Sequence, residues 1–357
     1  MPSRVLVVDD SALMRRLITS VLTEAGYQVE TANTGKAGVE KLVQWQPDAV
    51  TLDINMPEMD GLTALSLMMT ARPTPVIMVS SLTSEGALAT LEALALGAVD
   101  FITKPGGTIS LSIDDIKAQL LHKVKAACRS RPREATQPAL KPRVQPRAAA
   151  RAVGEPGSPV SRPKPSACPG LVLVGVSTGG PRTLEDILPQ LPDHFPLPVL
   201  VCQHMPANFT DAFAQRMDRL CPLHVREVNT SMPIEPGNIY IGRGGTDLIV
   251  AERLGRLVAM PKSETPGHPW HPSVDVMVDS AMRHVDAQRL VGVMLTGMGN
   301  DGAVAMTKLK QQGGRTIAES EATAVVFGMP QELINSGGAT LVLPSDQIAR
   351  QLKGWLL

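Results

Sequence analysis

Short apolar runs alternate with longer stretches whose apolar residues recur every three to four positions. The run 5–8 is uninterrupted Val and Leu and stops at Asp9-Asp10. Behind it Ser11 can cap a helix carrying Leu13, Leu17, Ile18, Val21 and Leu22 at helical spacing. The same pattern predicts strands starting at Val29 and over 48–53, 75–80 and 99–102, with helices over 36–45, 61–71, 85–96 and 113–127. Five strand–helix units fit into the first 127 residues. Continuous apolar strands between helices imply a parallel sheet covered on both faces.

The pattern then breaks. From Arg129 to Lys164 there are nine Lys or Arg, only Glu134 and Glu155 as acids, and eight prolines through Pro165. No apolar period survives, so this reads as an extended, semi-stiff spacer. Beyond it strands are expected over 171–176, 198–202, 290–296, 316–318 and 340–343. Helices are expected over 182–190, 211–219, 274–285, 303–312 and 346–356. The stretch 239–260, with Gly-rich turns, reads as β-hairpin. The predicted organisation is an α/β domain over 1–128, a linker over 129–166 and a second α/β domain over 167–357, without a long-period repeat.

Composition narrows the function classes. A length of 357 residues suits two or three domains. With 34 Lys+Arg against 34 Asp+Glu, a basic field for gripping nucleic acid is not expected. Aromatics at 3% argue against base-stacking platforms. A DNA-binding regulator using the basic linker would need a helix-turn-helix after the first domain, and none is read there. No apolar run approaches the ~20 residues of a membrane helix, and the start lacks the order of a secretory signal. The expectation is a cytoplasmic protein without membrane insertion. Cys128, Cys168, Cys202 and Cys221 show neither metal-site nor disulfide-scaffold spacing, which suits reduced thiols.

Ligands of a parallel α/β sheet collect at the carboxyl ends of its strands. Asp9, Asp10 and Asp53 fall there, with Ser80 ending the fourth strand and Lys104 the fifth. Clustered carboxylates invite a hard cation such as Mg²⁺. A carboxylate beside it can act as nucleophile toward a phosphoryl group, with Lys104 and the cation neutralising the transferred charge.

The second domain carries three Gly-flanked or strand-end corners. Gly175-Val-Ser177-Thr-Gly179 matches the Gly-x-Ser-x-Gly turn that exposes a nucleophilic serine, although a structural turn or an anion-binding loop has the same look. Gln203-His204 ends the next strand, where the histidine is either a general base or a polar loop residue. Thr296-Gly-Met-Gly-Asn-Asp301-Gly302 follows a later strand, and Asp301 can orient the histidine. Gly297 to Gly302 also satisfies the G-x-G-x-x-G dinucleotide fingerprint, with Glu319 downstream as a ribose-binding acid. Against that stand its late position and an Asp facing the pyrophosphate. No histidine follows Asp301, so an ordinary α/β-hydrolase order does not fit.

The constellation Asp9-Asp10, Asp53-Ile-Asn-Met-Pro, Ser80 and Lys104-Pro105 resembles the receiver domain of two-component response regulators. That resemblance implies a flavodoxin-like fold with Asp53 as phospho-acceptor. It also implies Mg²⁺ on Asp9, Asp10, Asp53 and the Asn55 carbonyl, and Ser80, Phe101 and Lys104 as switch residues. Taken with the three corners, Pro272-Ser-Val-Asp275 and Val325-Val-Phe-Gly-Met-Pro330, the chain resembles the chemotaxis protein-glutamate methylesterase (CheB) family. This resemblance implies a doubly wound methylesterase domain with a β-hairpin insertion, in which Ser177 is the nucleophile, His204 the base and Asp301 its orienting acid. Thr178 and Met298 would flank the oxyanion region, and the esterase chemistry would need no cofactor.

The implied reaction is hydrolysis of γ-methyl glutamyl esters, and deamidation of glutamines, on methyl-accepting chemoreceptors through an acyl-enzyme. A chemotaxis histidine kinase would be the phosphodonor, and the unphosphorylated receiver would cover the catalytic face. Two departures from the family, Gly242-Arg243-Gly244 and Trp270-His271, bear on how the receptor helix is gripped.

Overall fold

The computed structural model describes residues 2–81, 83–104, 113–130 and 170–356. The linker reading for 131–166, together with Pro105 and Cys168, lies outside the described residues. In the first domain the strands are β1 (Arg4–Val8), β2 (Gln28–Ala32), β3 (Ala49–Asp53), β4 (Val76–Ser80) and β5 (Asp100–Thr103). The helices are α1 (Ala12–Glu24), α2 (Gly35–Trp45), α3 (Gly61–Ala71), α4 (Ser84–Leu96) and α5 (Ile113–Arg129). All strands are parallel, in the order β2-β1-β3-β4-β5. This is the flavodoxin-like order, whose ligand crevice opens where β1 and β3 lead to opposite sides. Polar side chains start the helices: Ser11, Thr34, Asp60 and Thr83 each accept an N–H from the first turn of α1 to α4.

The second domain begins with β6 (Leu171–Val176), α6 (Gly180–Ile187), β7 (Val199–Gln203), α7 (Ala207–Leu220), β8 (His224–Val228), β9 (Met232–Pro233) and β10 (Asn238–Gly242). It continues through β11 (Asp247–Arg253), β12 (Arg256–Lys262), α8 (Val274–Met282), β13 (Leu290–Met294) and α9 (Ala303–Gln311). It closes with β14 (Arg315–Glu319), α10 (Met329–Asn335), β15 (Leu341–Leu343) and α11 (Ser345–Leu356). Seven strands form one parallel sheet in the order β15-β14-β13-β6-β7-β10-β8. β6, β7 and β13 lie side by side at its centre and are buried throughout. The hairpin expectation is corrected in part: β11 and β12 are the antiparallel hairpin, but β10 belongs to the parallel sheet. Tyr240 and its neighbours are paired on both edges, by β7 and β8, and Ile239 to Gly242 are buried as an inner strand of a covered sheet requires.

The two domains share one apolar cluster. Leu91, Leu94 and Phe101 of the first join Leu184, Phe209 and Phe213 of the second. The Phe101 and Phe209 rings meet at 4.4 Å between centroids.

Candidate active site

Three neighbouring parallel strands deliver the three corners to one edge of the sheet. Ser177 follows β6, His204 follows β7 and Asp301 lies in the loop after β13. The backbone locks them together: Ser177 N–H donates to Thr296 O at 2.9 Å and His204 N–H to Val176 O at 3.0 Å. Gln203 clamps two corners at once, its Nε2 donating to Ser177 O at 3.0 Å and to His204 O at 3.1 Å. A Cβ on Gly297 would lie 2.7 Å from the Ser177 Cβ, so only glycine lets the third corner approach the first this closely.

His204 Nε2 bonds Asp301 Oδ2 at 2.8 Å, and both side chains are 6% exposed. Asp301 accepts three further donors: Ser273 Oγ at 2.9 Å, Val274 N–H at 2.7 Å and Asp275 N–H at 3.1 Å. Ser273 is the N-cap of α8, so the helix N-terminus points at this carboxylate. Burial alone would raise the Asp301 carboxyl; the bond and charge of His204 and the two backbone donors outweigh it and hold it below the usual range. Whenever the imidazole carries a single proton, an ionised Asp301 keeps that proton on Nε2 and leaves the lone pair on Nδ1. That Nδ1 is buried without a hydrogen bond. Among the described residues no bond joins it to the Ser177 hydroxyl, so the nucleophile–base contact expected from the sequence is not formed here.

The backbone N–H groups of Thr178 and Met298, beside Ser177 on the first and third corners, donate to nothing among the described residues. They remain open to a developing oxyanion. The dinucleotide alternative loses both its parts. Glu319 is fully buried and accepts Thr296 N–H at 2.8 Å, which makes it a brace of the third corner. The start of α9 is occupied by Asp275, whose Oδ1 accepts Ala305 N–H at 2.8 Å where a pyrophosphate would have to sit.

The first domain packs against this edge. Thr178 Oγ1 donates to Asp100 Oδ2 at 2.6 Å, while Asp100 Oδ1 holds Lys123 Nζ at 2.8 Å. Trp270 stacks on His204 at 5.2 Å between ring centroids and 12° between planes. Its indole also meets His122 of α5 at 5.3 Å. Ser177 is consequently 8% exposed. Gly244 of the first departure is wedged against His204's corner, where a Cβ would run into Met205 O.

The acidic pocket forms as expected. Asp9, Asp10 and Asp53 bring one carboxylate oxygen each to within 4.8 Å of one another. Lys104 Nζ lies 2.7 Å from Asp53 Oδ2 and 3.6 Å from Asp9 Oδ2. Burial pushes both Asp53 and Asp9 above the usual carboxylate range, against the pull of Lys104. Asp9 Oδ2 is buried and has no hydrogen bond. This all-oxygen donor set with uncompensated charge suits a hard divalent cation. Asn55 is exposed beside it, its N–H on Asp53 Oδ1 at 3.3 Å. The Ser80 hydroxyl is tied to α4 through Gly86 O at 3.1 Å and Thr90 Oγ1 at 2.8 Å, and Phe101 lies in the domain interface.

Gln203, Ser273, Asp100 and His122 received no role from the sequence, and Trp270 received only one in gripping the receptor helix. For Ser273 a signal existed, a serine directly before an apolar helical run. The others act through contacts between distant segments.

Comparison with known proteins bears on these sites together. The CheB methylesterase family model matches residues 172–352, and the response regulator receiver domain model matches residues 5–113. A protein-glutamate methylesterase/protein-glutamine glutaminase of Rhodospirillum rubrum is 51% identical over 99% of this chain and 96% of its own. One from Rhodopseudomonas palustris is 50% identical over 99% and 98%. The crystal structure of the Thermotoga maritima CheB methylesterase catalytic domain superposes with a TM-score of 0.50 at 38% identity, covering 52% of this chain and 98% of that one.

Proposed function

The chain belongs to the CheB methylesterase family, protein-glutamate methylesterases and glutaminases under receiver control, and we propose that Ser177, His204 and Asp301 carry its chemistry. One observation carries this reading: a buried imidazole held by Asp301 through Nε2 at 2.8 Å, with an unpaired Nδ1, on the corner next to Ser177. Ser177 Oγ attacks the γ-carbonyl carbon of a methylated glutamyl side chain. Its proton passes to His204 Nδ1, and the N–H groups of Thr178 and Met298 receive the oxyanion. The C–O bond to the methoxy group breaks, His204 returns the proton, and methanol leaves a glutamyl ester on Ser177. Water, deprotonated by the same Nδ1, then releases glutamate and the free serine. With a glutamine the leaving group is ammonia. The protein substrates are methyl-accepting chemoreceptors.

Control runs through Asp53. Asp9, Asp10, Asp53 and the Asn55 carbonyl would hold Mg²⁺, which would supply positive charge beside the phosphoryl group; Asp53 accepts that group from a histidine kinase as its P–N bond to the kinase's histidine breaks. Phosphate at Asp53 draws the Ser80 hydroxyl away from Gly86 and Thr90. That loosens α4 and Phe101 at the interface and bares the catalytic edge. In a methanol-release assay on methylated receptor, Asp53→Asn is expected to keep basal activity and to lose all stimulation by a small phosphodonor. Stimulation equal to the parent protein's would remove Asp53 as the acceptor.

A further inference from the structure

Asp301 holds Nε2 of the His204 ring and the chain holds its Cβ, which leaves the ring plane to turn about the line between those two atoms. Something must set that plane, because it decides whether the Nδ1 lone pair meets the Ser177 hydroxyl. The flat partner available is Trp270, at 12° to the imidazole and 5.2 Å from its centre. Trp270 is half-buried on the loop between β12 and α8, outside the Asp301 network. Its indole is in turn met by His122 of the receiver at 5.3 Å and 49°. Burial keeps His122 below the usual histidine range, with Lys123, His204 and Lys125 adding and Asp100 opposing, so it meets the indole as a neutral ring at neutral pH. With both neighbours in place, Nδ1 is left without a partner.

We propose that Trp270 is a positioning residue for His204, its indole plane setting the imidazole plane, and that His122 sets the indole while the receiver is docked. Undocking removes one of the two rings that hold the indole, and Trp270 then carries the imidazole round to Ser177. An indole face also favours the imidazolium formed when Nδ1 takes the serine proton, since a cation within about 6 Å of the ring is attracted to it. Inhibition by the receiver is therefore more than a cover, because it holds the base out of line.

The inference rests on His204 being the base, and the test separates the two. Full-length protein is assayed for methanol release with and without a small phosphodonor. Trp270→Leu is expected to lower the stimulated kcat about tenfold with KM unchanged, and Trp270→Phe to restore most of it. His122→Ala is expected to raise the unstimulated rate roughly three- to tenfold and leave the stimulated rate alone. An unchanged stimulated kcat in Trp270→Leu, a change in KM only, or an unchanged basal rate in His122→Ala overturns the inference. His204→Gln serves as the reference: if it stays active, the base assignment itself falls. If it is inactive while Trp270→Leu is normal, only the role of Trp270 falls.

Discussion

Replacing Ser177 with alanine is expected to lower kcat for methanol release by roughly a millionfold, the scale seen when a triad nucleophile is removed. The variant should fold, because among the described residues the hydroxyl makes no hydrogen bond that alanine would break. The side chain is small, and the corner is fixed by backbone bonds from Ser177 N–H to Thr296 O at 2.9 Å and from Gln203 Nε2 to Ser177 O at 3.0 Å. Receptor binding and phosphodonor-driven undocking should persist. Loss of turnover with intact binding, read by methanol release and by co-sedimentation with methylated receptor, is the expected pair of results. Undiminished release would remove Ser177 as nucleophile.

Asp301→Asn should cost about 10⁴-fold in kcat by presenting the imidazole in the wrong tautomer. Asp301 accepts from four donors, His204 Nε2, Ser273 Oγ, Val274 N–H and Asp275 N–H. An amide can accept only through its oxygen, so its NH₂ must face at least one of these N–H groups. The carboxyl lies below its usual range, so its contribution to stability is complete above about pH 4. That contribution is lost only as pH falls through the still lower value of the folded state. Parallel urea titrations at pH 7 should therefore show Asp301→Asn destabilised, while Ser177→Ala is not. Full activity in Asp301→Asn would mean that the His204–Asp301 bond is structural.

Much of this arrangement is legible in local pattern. Apolar runs ending in Asp9, Asp53, Ser177 and His204 announce buried parallel strands, and the chemistry of such sheets gathers where the runs stop. Other parts are not local. The strand β10 reads as a hairpin because it ends at Gly242, with Gly244 and Gly245 following, yet β7 and β8 pair with both its edges in the parallel sheet. The edge strand β8 alternates polar and apolar residues too briefly to stand out. Glu319 has the position of a ribose-binding acid and is instead fully buried beneath the third corner. Asp100, His122 and Trp270 come together only because two domains dock, across sequence separations that no periodicity encodes.

A serine-directed phosphonate ester, offered to the full-length protein with and without a small phosphodonor and located by peptide mass spectrometry, reports on nucleophile, base and control together. The adduct should sit on Ser177, form faster with the phosphodonor, and be lost in His204→Gln. An adduct on another residue, or labelling of Ser177 that ignores both His204 and the phosphodonor, would contradict a shared proton path governed by the receiver.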